Sequence, residues 1–104
     1  MEAVIDLRGA SGVTYRFRRS GWQSPIGGNF VYVRLVDGKP SVVCCGCARS
    51  LGRSLIDPIW PLDENAQPGD LLYVRLNAAS STRQSEHEDL VSGLPRPFVI
   101  YEND

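Results

Sequence analysis

Three cysteines lie within four positions of this sequence, in the stretch SVVCCGCARS at residues 41–50. Cys44 and Cys47 have C-x-x-C spacing where a strand-like run meets a helix-like run. A helix amino terminus lowers the pKa of a thiol, so Cys47 is a candidate reactive thiolate. The alternative is that Cys44 and Cys45 are small buried hydrophobes and Cys47 is a turn residue. Zinc is the weakest interpretation, because a structural site normally takes four ligands.

The chain has one histidine, His87, and it stands between Glu86 and Glu88 on a polar, helix-like stretch. This setting predicts a solvated surface residue. Flanking carboxylates would also raise the pKa of the imidazole, so His87 is a candidate acid near neutral pH.

The pentapeptide VYVRL recurs later in the chain as LYVRL. In a strand, side chains alternate between faces, so Tyr32 shares a face with Arg34, and Tyr73 shares a face with Arg75. If the two strands lie side by side, they present either ordinary exposed faces or a surface for a phosphate-bearing ligand.

Alternating apolar and polar residues predict the strands that must position these groups. An Asp-Gly pair, Asp37-Gly38, predicts a tight hairpin turn between the second and third strands, and Gly46 is predicted to end the third. The predicted strands cover residues 13–19, 29–36, 41–45 and 70–78.

Helical spacing of apolar residues predicts a helix over residues 48–56. A second helix is predicted over SSTRQSEHEDLVSGL, with Ser80 or Ser81 as its cap and Gly93 just past its end. The closing residues are predicted to be an extended tail. The expected fold is α+β in the order β-β-β-α-β-α, with a small, mainly antiparallel sheet and two helices.

Composition fits one globular domain over residues 1–104, in which residues 1–28 form an N-terminal strand and loop extension. The formal net charge of −1 argues against a general polyanion binder but not against a local basic patch. No apolar run is long enough to cross a bilayer, and the first residues do not resemble a signal peptide. We therefore expect a cytoplasmic protein with no membrane partner.

Several short motifs between Phe30 and about Pro97 occur in the order found in one nuclease family. The segment FVY places Tyr32 at the tyrosine of a first tripeptide, and CCG places Cys44 and Gly46 at the tyrosine and glycine of a second. An arginine-bearing segment and a glutamate-bearing helix follow. This span resembles a GIY-YIG nuclease domain.

The resemblance implies phosphodiester hydrolysis by a metal-activated water. Its implied catalytic residues are Tyr32, Arg53, Glu86 and the adjacent His87, with Glu86 holding a divalent metal such as magnesium in an active form. Arg53 is one residue out of the family's register, and Arg49 lies a turn away from it. The implied ligand-binding residues are Arg34, Arg49, Tyr73 and Arg75.

The second tyrosine, the arginine in register and the closing asparagine of the family pattern are replaced in this chain. Losing several catalytic parts that act as a unit usually leaves little activity. We therefore expect binding of nucleic acid or of a phosphate-bearing ligand, with weak or no cleavage. The alternatives are a thiol redox protein that uses Cys44 and Cys47, and a protein-interaction module without chemistry.

Overall fold

A computed structural model describes residues 2–19, 25–51 and 63–103, with only the backbone described at residue 103. The elements in chain order are β1 (Val4–Arg8), β2 (Thr14–Arg19), β3 (Gly28–Val36), β4 (Lys39–Ala48), β5 (Leu71–Leu76), α1 (Ser80–Gly93) and β6 (Val99–Asn103).

The six strands form one sheet in the order β1-β2-β5-β3-β4-β6. Every neighbouring pair is antiparallel except β4 and β6, which are parallel. The turn between β3 and β4 follows the Asp-Gly prediction, since Asp37 and Gly38 have φ angles of 53° and 77°. These left-handed conformations match the twist of a two-residue hairpin.

The predicted two-helix α+β fold is wrong, because the described residues form a mixed six-stranded sheet with one helix. The predicted first helix begins at Ala48, which is the last residue of β4, and residues 49–51 are not helical. Residues 52–56 lie outside the described ranges. Strand β4 continues through Gly46 because β3 pairs along one side of it and β6 along the other. Pairing with strands distant in the sequence thus outweighs the helical spacing of apolar residues in this short segment.

The first strands belong to this sheet and supply part of its core. Residues Tyr15 and Phe17 of β2 pack with Val31, Val33 and Tyr73 on the face that α1 covers, which we call the helix face. The opposite face, which we call the far face, has a second cluster formed by Phe30, Tyr32, Cys44, Ala48 and Leu51. Burying such side chains stabilises the fold by roughly 1.5–3 kcal/mol each.

The helix begins after Ala79, which makes no side-chain capping bond, so the predicted serine cap is wrong. Three residues of α1 are fully buried, and they are Arg83, His87 and Leu90. Two of these are polar. A leucine and a set of polar contacts therefore hold this helix on the sheet, rather than the continuous apolar stripe of most surface helices.

Candidate functional site

A row of polar side chains crosses the helix face beneath the first half of α1. Strand register places Arg75 opposite Asn29, Asn29 opposite Cys47, and Cys47 opposite Glu102. Residues opposite one another share a face of the sheet. We call Arg75, Asn29, Cys47 and Glu102 the polar row, and it draws one side chain from each of four strands.

Polar groups of α1 contact two members of this row, Arg75 and Asn29. The Arg75 Nε atom lies 2.8 Å from Glu86 Oε1. The fully buried Asn29 donates from Nδ2 to the carbonyl oxygen of Arg83 at 3.0 Å, and Asn77 donates to Asn29 Oδ1 at 3.0 Å. These contacts fix the position of α1 over the row.

The imidazole of His87 contacts a third member of the row. His87 is 3% exposed, and its Nε2 lies 3.1 Å from Glu102 Oε1. The predicted solvated position is therefore wrong, and the carboxylate that contacts His87 comes from β6 rather than from its sequence neighbours. An ionised carboxylate only accepts hydrogen bonds, so Nε2 is the donor in this contact.

The Nδ1 atom of His87 is buried and has no hydrogen-bond partner among the described residues. An unpaired buried polar atom costs about 1–3 kcal/mol, so its presence calls for an explanation. His87 is also one of the residues that line an open cavity of about 350 Å³, together with Cys47, Gln84, Glu88 and Glu102. A cysteine, a histidine and two glutamates thus line one cavity.

The three cysteines divide between the two faces of the sheet. Burial raises the pKa of Cys44 and of Cys45 to about 12, so both thiols stay protonated at neutral pH. Cys44 packs on the far face and Cys47 on the helix face. Their Cα atoms are three strand residues, roughly 10 Å, apart. A disulfide needs less than about 7 Å, so β4 does not permit one between them.

The structure does not bring the predicted catalytic residues together. Tyr32 is 4% exposed and packs on the far face, whereas Glu86 lies above the helix face with its carboxylate on Arg75. The sheet separates the two side chains. Arg53 lies outside the described residues, and Arg49 is exposed just after β4.

The predicted ligand surface is divided in the same way. Register places Tyr73 opposite Val31, so Tyr73 and Arg75 point to the helix face while Tyr32 and Arg34 point to the far face. Arg34 is held by Asp70 through two contacts of 2.8 and 2.9 Å. No single face therefore combines the four residues.

Sequence reasoning missed Asn29, Arg83 and Glu102. Asn29 was assigned to a strand without a role, and Glu102 was in a tail predicted only to be extended. The run of β-branched and aromatic residues Val99, Ile100 and Tyr101 is a strand signal that could have identified β6.

A second group of charged residues lies on the far face of β1 and β2. Register places Arg8 opposite Thr14, Asp6 opposite Arg16, and Arg18 opposite Val4. Arg8, Arg16 and Arg18 are all exposed, and we call them the arginine strip. One of them, Arg16, forms an exposed ion pair with Asp6, with Nε 3.1 Å from Oδ1.

Asp89 ties the helix to the loop between β1 and β2, and its contribution to stability should be lost as the pH falls below about 4. Asp89 accepts bonds from the Ser11 hydroxyl and backbone N–H and from the Tyr15 hydroxyl at 2.6–2.8 Å. These bonds, that of the Ser11 hydroxyl first, lower the pKa of Asp89.

A lowered folded-state pKa adds stability that is complete above the unfolded value of about 3.9 and lost as the pH falls through the folded value. We expect Asp89→Asn to lower the melting temperature at neutral pH. The difference from wild type should shrink as the pH falls below about 4. Thermal unfolding followed by circular dichroism checks this, and a difference that is constant in acid would contradict it.

No protein-family model, curated protein sequence or solved structure matches this chain. The resemblance to GIY-YIG nucleases therefore stays a prediction. Among the described residues, no helix is both long and apolar enough to span a membrane.

Proposed function

We propose that this domain binds the sugar–phosphate backbone of a nucleic acid on the arginine strip, with weak or no cleavage. The observation that carries the proposal is the row of exposed guanidinium groups of Arg8, Arg16 and Arg18 on one face of two paired strands. Guanidinium forks suit phosphate oxygens, and such contacts give affinity without sequence preference.

Charge is distributed unevenly, and the net value of −1 hides this. The far face of β1 and β2 carries three arginines against Asp6, whereas α1 carries Glu86, Glu88 and Asp89 against Arg83. A polyanion would approach the first surface and be repelled by the second. The strip is also extended, since Arg16 and Arg18 are about 7 Å apart along β2. That geometry favours a chain of phosphates over a single anion.

The separation of Tyr32 from Glu86 supports weak or absent cleavage. Removing one preorganised charge stabiliser commonly lowers kcat by ~10²–10³. Here the two remaining candidates lie on opposite faces of the sheet, and Glu86 is engaged by Arg75. Magnesium-dependent cleavage of DNA that is abolished by Tyr32→Phe and by Glu86→Gln would overturn this part of the proposal.

Removing the arginine strip should weaken binding in a salt-dependent way. The logarithm of the binding constant falls linearly with the logarithm of the salt concentration, and each lost phosphate contact makes that slope shallower by about 0.7–0.9. At about 50 mM salt, each lost contact also lowers the affinity roughly tenfold. For Arg16→Ser/Arg18→Ser we therefore expect the slope to fall by about 1.4–1.8 and the affinity to fall about a hundredfold. Fluorescence anisotropy with labelled single-stranded and duplex DNA measures them.

The matched control is Lys39→Ser/Arg96→Ser, which removes the same charge from exposed positions outside the strip. We expect its slope to stay near that of wild type. Asp6→Asn should raise affinity, because it frees Arg16 from its ion pair. Absence of binding at low salt, or equal losses in the two double variants, would contradict the proposal.

A further inference from the structure

The far face of the sheet changes from charged to apolar between neighbouring strands. The arginine strip lies on β1 and β2, and the next strand of the sheet is β5. Register places Val74 of β5 opposite Arg18, so both side chains point to the far face. Leu72 and Leu76 share that face with Val74, because side chains alternate along a strand. We call Leu72, Val74 and Leu76 the aliphatic row.

The aliphatic row is held by the core on one side and reaches solvent on the other. Leu72 and Val74 are half-buried and pack against the far-face cluster, which fixes the position of the row. Leu76 is 49% exposed. Its neighbour Arg75 contacts the Arg16 carbonyl oxygen at 3.5 Å, so β2 and β5 stay adjacent at this level. Because paired strands are about 4.8 Å apart, a molecule bound to the strip also meets the aliphatic row.

We infer, on the basis of the proposed function, that the nucleic acid on the arginine strip is a single strand whose bases lie on the aliphatic row. A nucleotide of a single strand has a phosphate at one end and a base with accessible faces at the other. The strip and the row offer their charged and apolar side chains in the same order. A duplex pairs and stacks its bases, so their faces are covered and the row would have no apolar partner.

The placement of charge beside apolar surface favours a linear polyanion over an anionic membrane. The arginines run along two strands at one edge of the described sheet, and the aliphatic row runs along the strand beside them. Amphipathic surfaces that bind membranes bury their apolar side chains about 5–10 Å into the lipid. Leu72 and Val74 are half-buried, so they do not project far enough to insert in that way. They can still be covered by a flat base that lies on the sheet.

Three labelled probes of equal length test for base contacts by fluorescence anisotropy at low salt. They are a single-stranded oligothymidylate, a DNA duplex, and a single-stranded chain of abasic sugar–phosphate units. Electrostatics alone favours the duplex, which has the highest charge density. We expect the oligothymidylate to bind most tightly, and the abasic chain to bind more weakly with the same salt dependence. A duplex that binds as tightly as the oligothymidylate would overturn the single-strand inference.

Leu76→Ser tests the aliphatic row directly. We expect it to bind the oligothymidylate about fivefold more weakly, because a base would cover the exposed part of this leucine. Its affinities for the duplex and for the abasic chain should stay near those of wild type. The matched control is Leu35→Ser, at an exposed leucine on the helix face, and it should leave all three affinities unchanged. Equal losses for the three probes, or in the two variants, would overturn the base contact.

Leu76→Phe gives a gain rather than a loss. An aromatic ring at this position lets a base stack, so affinity for the oligothymidylate should rise about fivefold, with no gain for the abasic chain. If Arg16→Ser/Arg18→Ser weakens binding but neither Leu76 variant changes it, phosphate binding stands and the single-strand inference fails. If none of the probes binds, the proposed function fails as well. Binding to phosphatidylserine vesicles that Leu76→Ser weakens would assign the surface to a membrane and overturn the inference.

Discussion

Replacing Leu90 by Ala should lower the free energy of unfolding by about 2–5 kcal/mol. Leu90 is fully buried, at 0% exposure, and packs in the helix-face cluster. The other fully buried residues of α1 are Arg83 and His87, whose contacts are polar. Polar contacts add little net stability compared with apolar burial. The truncation therefore removes the main apolar anchor of the helix and leaves a cavity.

Chemical denaturation measures this loss, with Leu35→Ala as the matched control. Leu35 is 56% exposed, so the same chemical change there should alter stability by no more than about 0.5 kcal/mol. Equal losses in the two variants would contradict the docking of α1 described above.

The sequence predicts the elements whose signals are local. Alternation locates β2, β3 and β5, the Asp-Gly pair locates the β3–β4 turn, and a helix is correctly expected near residues 80–93. These features depend on residues close together in the chain, so a single sequence contains the information. Strand β1 was missed, although it lies in the segment predicted to be an extension.

The pairing of distant strands is less accessible from the sequence. The expected Tyr and Arg surface required Tyr32 and Tyr73 to share a face, but the register places Tyr32 opposite Leu72. Shifting a strand by one residue moves its side chains to the other face, and nothing local sets that shift between β3 and β5. The contact of His87 with Glu102 depends on the parallel pairing of β6, which is equally long-range.

The polar sequence of α1 also prevented a correct prediction of which of its residues are buried. Burial of a helix residue is usually predicted from a continuous apolar stripe along the helix. This helix has no such stripe, because two of its three buried residues, Arg83 and His87, are polar. Its buried face is completed by Asn29 and Glu102, from strands far apart in sequence. The burial of His87 could not be inferred from its own neighbours, Glu86 and Glu88, because neither is the carboxylate that it contacts.

Replacing Gly46 by Ala should lower the free energy of unfolding by about 1–3 kcal/mol. The sequence predicts that this glycine ends a strand, yet Gly46 lies inside β4 and is buried. A Cβ atom there would overlap the Phe30 ring and the carbonyl oxygen of Tyr101. Gly46 thus allows the close approach of β6 that sets Glu102 opposite Cys47.

Phe30→Leu separates the two overlaps in a double-mutant cycle. The smaller side chain relieves the clash with the ring, so Gly46→Ala should cost less in the Phe30→Leu background, with a coupling of about 0.5–3 kcal/mol. The overlap with the Tyr101 carbonyl remains, because backbone cannot give way as a side chain can. Hydrogen exchange of the β6 amides should therefore increase in both Gly46→Ala proteins. Full additivity with unchanged β6 protection would show that Gly46 is not what holds β6 against β4.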